Sequence, residues 1–462
     1  MKKVISITLV LMLAMHFSYA QQRHELTVRE AVELAYKNVI EIKNAEIDYK
    51  MQEAVNNEIV GRALPQISGN IGANHYLKLP DILFPDATDF RIYSILKDEG
   101  VSGSTGPITS VPTPQLRQVS FQQPWNLTTG ATLTQLLFQP DVFVGLQARK
   151  AALDLSASMI EQTKERVKDS AYKRYYAILI AEKQLHFMNE SVVRLERLYR
   201  DNTIMFENGF AERLDIDRVQ VQLNNLTTSR SVLQNSITLA YAGLKFALGL
   251  PQQDIVVLKE DLTTEAIKED ILEDGFVYEN RPEIRTLTYS KELQELDVKR
   301  YKLGALPTVA FTGNYTINGL GQKFFTNSNT VWINSSFVGL NIGIPIFDGN
   351  QRRQKVQQAR YTVQKIENTI DNVKQAIDLE QVVTRESFRN ALLNLDAQER
   401  NSELAERVYN TTKRKFEEGL GSSFEVLQAE NDYQTAQANY FTALYNATIA
   451  KVSYQYSLGR LQ

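Results

Sequence analysis

Few side chains in this sequence could do chemistry at a point, and most of those are carboxylates. Its four histidines, His16, His24, His75 and His186, are scattered through 462 residues, and there is no cysteine. That composition excludes disulfides and thiolate metal sites, and no HExxH, GxSxG or P-loop pattern occurs. Asp215 with Asp217, and Glu417 with Glu418, are carboxylate pairs, but a helical chain with 23% charged residues produces such pairs constantly. No catalytic, cofactor or metal site is assigned, and the chain reads as a non-enzyme. One acidic position stands apart. Glu425 follows Gly419 by six residues, as Asp215 follows Gly209. Ser422-x-x-Glu425 is also a capping box, and a carboxylate in a first helical turn gains from the helix dipole, together on the order of 1 kcal/mol.

The elements that position Glu425 run from Phe347 to Gln462, a proline-free stretch broken by the Gly-rich segment Phe416 to Ser423. Before the break, Val356, Ala359, Val363, Ile366, Ile370, Val373 and Ile377 recur at steps of three and four. That is a period of about 3.5 residues, the mark of a helix packed in coiled-coil fashion. After it, Ala436, Tyr440, Ala443, Ala447, Ala450, Tyr454 and Ser457 keep the rhythm with mostly small residues, which let a neighbouring backbone approach. Two antiparallel helices joined by a tight turn fit this pattern. The 70 residues from Gly349 to Glu418 would make a rod of roughly 100 Å at about 1.5 Å per residue. A compact globular domain needs no such rod.

The same unit occurs twice. Phe206-Glu-Asn-Gly209 matches Phe416-Glu-Glu-Gly419, and Leu248-Gly249 matches Leu458-Gly459, both at an offset of 210. Asn38-Val-Ile-Glu41 matches Asn280-Arg-Pro-Glu283, and Ala63-Leu64-Pro65 matches Ala305-Leu306-Pro307, both at 242. The difference is a longer insertion in the first copy. Residues 21–250 form the first repeat, with its tip near 209. Residues 251–281 are a connector packed against the helices, with Thr263 or Thr264 able to cap a short start. Residues 282–462 form the second repeat, with its tip near 419.

Met1 to Ala20 reads as an export leader, with Lys2 and Lys3, an apolar core of about 12 residues, and a Ser18-Tyr19-Ala20 cleavage site. The core falls short of the ~20 residues that span a membrane. Gln21, not a cysteine, follows, so it offers no lipid-anchor acceptor. Without the leader, 49 basic face 54 acidic side chains, which leaves no nucleic-acid footprint.

Leu26 to Arg62 is helical by pattern, with Thr27 and Glu30 as a capping box. Eight of the twelve prolines then fall between Pro65 and Pro140, which excludes a long helix there. The period switches to two. Strands are expected at about 66–76, 129–138, 308–317 and 336–347, each with one apolar and one polar or small face. Ile67, Ile71 and Ala73 oppose Gln66, Ser68, Asn70 and Asn74, and Ala131, Leu133 and Leu137 oppose Thr132 and Thr134, with Gln135 an exception on the apolar side. Val309, Phe311, Leu340, Ile342 and Ile344 form the apolar faces of the second pair. The polar faces carry Thr, Asn, Ser and Gly with almost no charge. Aromatic residues gather at the loop ends: Tyr76, Phe121, Trp125, Phe324, Phe325, Trp332 and Phe337. This is the pattern of a transmembrane barrel, but four strands cannot close one and open edges are not tolerated in lipid. Several chains must therefore build it. The loop from Leu77 to Pro124 is long and rich in Pro, Gly, Ser and Thr, and its charges are most simply a solvated face.

In this combination the sequence resembles the TolC-like outer-membrane efflux family. The resemblance rests on two homologous halves, Leu64-Pro65 and Leu306-Pro307 at the helix-to-strand junctions, and Asn280-Arg281-Pro282-Glu283. It rests also on Ile344 to Gly349 entering the long helix, and on the tip Phe416-x-x-Gly419 followed by Phe424 to Ala429. It implies a mainly α chain with a membrane β-barrel portion: a homotrimer in which each chain gives four strands to one twelve-stranded barrel and its hairpins to a periplasmic tunnel. Such ducts dock on a periplasmic adaptor and an inner-membrane pump and export small molecules or, in some members, proteins. The tips (Gly209, Phe210, Gly419, Leu420, Gly421) would meet the adaptor, and Val309, Phe311, Leu340, Ile342 and Ile344 would face outer-membrane lipid. Glu425 matches an acidic position lining the periplasmic entrance, with Asp215 at the same depth. A second acidic position of some members is Gln428 here. A periplasmic coiled-coil scaffold or adaptor is the competing class, but it lacks paired amphipathic strands before each hairpin.

Overall fold

The computed structural model describes residues 22–120, 122–268, 276–323 and 330–461. The leader Met1–Ala20 with Gln21, the aromatics Phe121, Phe324 and Phe325, and residues 269–275 of the connector lie outside the described residues. In chain order the elements are β1 (Arg23–Leu26), α1 (Val28–Asn38), α2 (Ile40–Ala63) and β2 (Gln66–His75). An insertion follows, made of β3 (Ile82–Asp86), α3 (Thr88–Asp98), β4 (Ser102–Gly103), β5 (Gly106–Pro107) and β6 (Gln115–Val119). Next come β7 (Trp125–Phe138), α4 (Pro140–Glu207), α5 (Arg213–Ala247), β8 (Ile255–Leu258) and α6 (Thr264–Lys268). The second repeat holds α7 (Pro282–Leu303), β9 (Thr308–Gly321), β10 (Val331–Gly343), α8 (Gln351–Glu417) and α9 (Ser423–Ser457). The two long hairpins are nearly equal in length: 68 and 35 residues in the first, 67 and 35 in the second.

The chain divides into two units. One is helical and contains the described residues up to Ala54, Ala148–Glu295 and Ala359–Gln462. The other, Val55–Gln147 with Leu296–Gln358, carries the strands β2, β7, β9 and β10.

In the helical unit, β1 pairs in parallel with β8, so the start of the chain is tied to the connector. The Thr27 hydroxyl accepts the Glu30 N–H at 3.3 Å, and the Glu30 carboxylate accepts the Thr27 N–H at 2.8 Å, completing the capping box. The single helix expected over Leu26–Arg62 is two helices, because Val39 is extended (φ −63°, ψ 126°) and ends α1. The reason lies at the far end of the first hairpin. Gly249 (φ +67°) presses on Asn38 so closely that a Cβ there would stand 2.8 Å from the Asn38 carbonyl carbon. Gly459 (φ +65°) makes the equivalent approach to Asn280, at 3.1 Å from its carbonyl oxygen. Two motifs read separately in the sequence, Leu-Gly and the Asn-containing segment, are thus two sides of one contact made once per repeat. The connector is built in as well. Val256, Leu262 and Ile267 join the core, and the Thr263 hydroxyl accepts the Ala266 N–H at 3.3 Å.

The heptad stripes lie where the period puts them. All seven of the residues from Val356 to Ile377 are buried or half-buried, as are the seven from Ala436 to Ser457. Farther along α8, Phe388, Leu395, Ser402 and Tyr409 are buried at intervals of seven.

In the strand unit, four strands form one antiparallel sheet in the order β10-β9-β7-β2. The strands are longer than expected toward the loop end: β7 begins at Trp125, β9 runs to Gly321 and β10 begins at Val331. At its other end β10 stops at Gly343, so Ile344 and Ile346 lie beyond the strand. Pro345 has no N–H to give a ladder, and Asp348 ends the passage by accepting the Arg352 N–H at 3.2 Å as α8 starts. The expected long irregular loop from Leu77 to Pro124 contains secondary structure of its own, with β3 paired to β6 and a helix between.

Gly209 and Gly249 share a left-handed backbone, but nothing lies within 4 Å of a Cβ built at Gly209. Gly209→Ala should cost about 1–2 kcal/mol from backbone strain alone. Gly249→Ala should add an overpacking loss of typically ~1–3 kcal/mol by driving a methyl into Asn38. Unfolding of the two variants in detergent measures the difference, and equal losses would contradict the close approach.

Candidate functional site

Each hairpin tip is closed by the same backbone device. Phe210 and Gly209 donate to the carbonyls of Met205 and Phe206 at 2.8 and 3.0 Å, while Leu420 and Gly419 donate to Lys415 and Phe416 at the same distances. This closure requires a left-handed residue, and Gly209 (φ +77°) and Gly419 (φ +76°) supply it. The next residue is thrown outward, leaving Phe210 79% and Leu420 76% exposed. Gly421 follows, where a Cβ would stand 3.3 Å from the Glu425 carboxylate.

The two acidic positions are not equivalent. Glu425 is exposed; its N–H is taken by the Ser422 hydroxyl at 3.3 Å, and its carboxylate accepts the Ser422 N–H at 3.4 Å. Asp215 accepts the Glu212 N–H at 3.4 Å but also has the Arg218 guanidinium 3.8 Å away. Its charge is therefore partly countered. Gln428, exposed on the next turn, donates to Asp432 at 2.9 Å, so an amide there keeps a carboxylate one turn farther on. Arg218 also lies 5.1 Å from the Phe424 ring and links the two tips.

Two arginines that sequence reasoning left without a function tie the helices together, the half-buried Arg194 toward the tips and the buried Arg281 at the opposite end of α9. Arg194 of α4 grips Glu430 of α9 with two bonds, 2.9 and 3.0 Å, and Glu430 is only 1% exposed. The rings of Phe187, Tyr409 and Tyr433 surround the guanidinium at 5.3, 5.5 and 5.3 Å. Burial works against the charge on Arg194, but the bond and field of Glu430 prevail and raise its pKa. The Tyr409 hydroxyl is pushed up to about 12 by burial and then by Glu430. The signal was in the sequence: Glu430 sits four residues after Val426 and three before Tyr433, a charge in an apolar stripe. Arg281, from the Asn280-Arg-Pro-Glu283 motif, is 6% exposed. It binds Glu283 at 3.2 Å, Glu380 of α8 at 2.9 Å and the Ser457 carbonyl at 2.9 Å. That carbonyl closes α9 and has no partner within its own helix.

In the sheet, register decides which residues share a face. Phe311 stands opposite Leu340, and Val309 opposite Ile342, so these four lie on one face with Ile67, Ile71, Ala131 and Leu133. Ile344 has no register partner. Gln135 shares this apolar face, and its amide is satisfied by donating to the Ala63 and Leu136 carbonyls at 2.8 and 2.9 Å. The opposite face carries a polar ladder in which Thr128 donates to Asn318 and Asn314 donates to Thr132, both at 2.9 Å. Trp125 and Trp332 pair with Gly321 and Gly319 at the loop end. Phe337 is a correction. It is paired with Asn314 in mid-strand on the polar face, because β10 begins six residues before it. Among the described residues β2 and β10 each have one neighbour, which leaves both outer edges open.

A four-stranded sheet with divided faces, built from one strand pair ahead of each of two long helical hairpins, defines the class as a TolC-like outer-membrane channel fold. The crystal structure of the Campylobacter jejuni CmeC outer membrane channel shares it, with a TM-score of 0.70 over 94% of this chain and 86% of that one at 15% identity. Residues 277–460 match the family model for outer membrane efflux proteins. The chain is 19% identical to outer membrane protein TolC of Vibrio cholerae serotype O1 over 72% of this chain and 77% of that protein. It is 20% identical to the alkaline protease secretion protein AprF of Pseudomonas aeruginosa over 68% of this chain and 66% of that protein.

If the apolar face meets lipid, Ile342→Arg should cost about 2–4 kcal/mol of barrel stability, while Asn341→Arg on the other face should be mild. Heat-dependent dissociation of the assembled protein on gels measures both. Equal assembly of the two variants would contradict the assignment of faces.

Proposed function

We propose that three copies join their sheets edge to edge into one twelve-stranded outer-membrane barrel and serve as the exit duct of a tripartite efflux pump. The observation that carries this reading is the sheet itself. It has a lipid-compatible face, an uncharged polar face and two open edges that hydrocarbon would not tolerate. Three-fold closure pairs β10 of one copy with β2 of the next and leaves no edge. In this reading Met1–Ala20 directs export, Val309, Phe311, Leu340 and Ile342 contact lipid, and Ile344 lies at the barrel margin. The helices extend into the periplasm, and small molecules pass from an inner-membrane pump and periplasmic adaptor without chemistry in the duct. A second reading, the outer-membrane component of a type I protein secretion system, is favoured by the similarity to a protease secretion protein.

The tips are the adaptor-docking ends. Phe210 and Leu420 are the apolar side chains most openly presented there, and Gly209, Gly419 and Gly421 make that presentation possible. Single cysteines at Phe210 and Leu420 should cross-link to a co-expressed adaptor. Cross-links formed only from barrel-end positions would refute docking at the tips.

Glu425 forms the charged ring of the periplasmic entrance. Asp215 contributes less because Arg218 accompanies it, and Gln428 adds no charge. Three carboxylates around a narrow opening favour cations. Glu425→Gln keeps the size and most of the cap, so trimers should form normally while cation preference and block by multivalent cations fall in planar bilayers. Unchanged selectivity and block would reduce Glu425 to a helix cap.

A further inference from the structure

Residues 77–124 form a self-contained insertion between β2 and β7. Its base is closed by the Tyr76 N–H donating to the Pro124 carbonyl at 2.8 Å. Above the base β3 pairs with β6, an Arg117–Asp86 ion pair of 3.4 Å joins them, and Asp86 accepts the Thr88 N–H at 3.1 Å where α3 begins. α3 has 11 residues and buries none of them. Isolated helices shorter than about 12–15 residues are marginal in water, and helices in proteins owe most of their stability to a packed apolar face. α3 has such a face without a cover: Ile92, Tyr93 and Ile95 are 41–61% exposed, and Ile82 and Phe84 of β3 are exposed as well. So many apolar side chains gathered in one insertion mark a contact surface.

Two observations identify the occupant. The insertion is rooted in β2, an open edge of the sheet, so a copy docked on that edge starts beside the insertion's base. Its ionisable side chains number four basic and five acidic. Helices that lie on membranes carry a basic polar face, and this balance offers anionic lipid no attraction. We propose that the apolar face of α3 packs against the insertion of a second copy of this chain, so that the insertions form a collar at the strand ends away from the long helices. This inference rests on the edge-to-edge trimer proposed above.

The chain has no cysteine, so one introduced thiol is the only one present. Ile92→Cys and Ile95→Cys, each in the full chain in outer membranes, would be labelled with a short maleimide–diazirine reagent and irradiated, so that the thiol is joined to whatever neighbouring chain it touches. Both proteins should run as a covalent dimer on denaturing gels while the native mass is that of a trimer. A native trimer without dimer at either thiol overturns the collar and leaves the barrel reading intact. Loss of the native trimer in the unmodified chain overturns both. A spin probe at Ile95→Cys relaxed by oxygen rather than by an aqueous nickel complex would place α3 in lipid and also overturn the collar.

Discussion

A backbone amide with no partner is tolerable in water and costly in hydrocarbon, by several kcal/mol for each group left bare. The sheet answers that constraint internally at β7 and β9 and leaves it open at β2 and β10. The placement of side chains follows from it. Alternation along each strand sorts apolar from polar residues only because register is held across all four strands. A slip of one residue would reverse every face. Gln135 shows how closely the balance is kept, since a polar residue on the apolar face is accepted where its amide can reach two carbonyls.

The helices face a different difficulty. The interior stripe of α9 is rich in alanine, and a smooth, small-residue surface allows close approach but does little to fix axial position. The two arginines supply that. A guanidinium held by two bonds to one carboxylate, as Arg194 is by Glu430, tolerates little displacement along the helix. Arg281 does the same at the other end of α9, where it also satisfies a terminal carbonyl. Such pairs add little net stability compared with apolar packing, but losing one partner strands a buried charge at a cost of about 3–5 kcal/mol.

Much of this was legible in the sequence because periodicity is a local signal. The heptads of α8 and α9, the capping boxes at Thr27 and Ser422, the tip glycines and the alternating strands could all be read from neighbouring residues. The break at Val39 could not, since its cause is Gly249, two hundred residues away. The function of Arg281 was hidden for the same reason: its motif was visible, but its partners Glu380 and Ser457 come from other helices. Strand ends also resisted reading. Gly319 extends β9 although glycine usually weakens a strand, because a Cβ there would stand 2.8 Å from the Trp332 ring. The inequality of Asp215 and Glu425 rests on Arg218, a residue the repeat alignment gave no reason to single out.

The pairing of β7 with β9 sets Trp125 against Gly321, and that of β1 with β8 sets Arg23 against Ile255. Strands so distant in sequence meet only after most of the chain exists, and loop closure on that scale makes their pairing slow. The β2–β7 hairpin can form early, but until β9 arrives one side of β7 is a bare template for any extended segment. Assembly is therefore ordered in time. A polypeptide truncated before Thr308 could fold its first pair of long helices and still be unable to finish its sheet, and its exposed edge would be prone to aggregation.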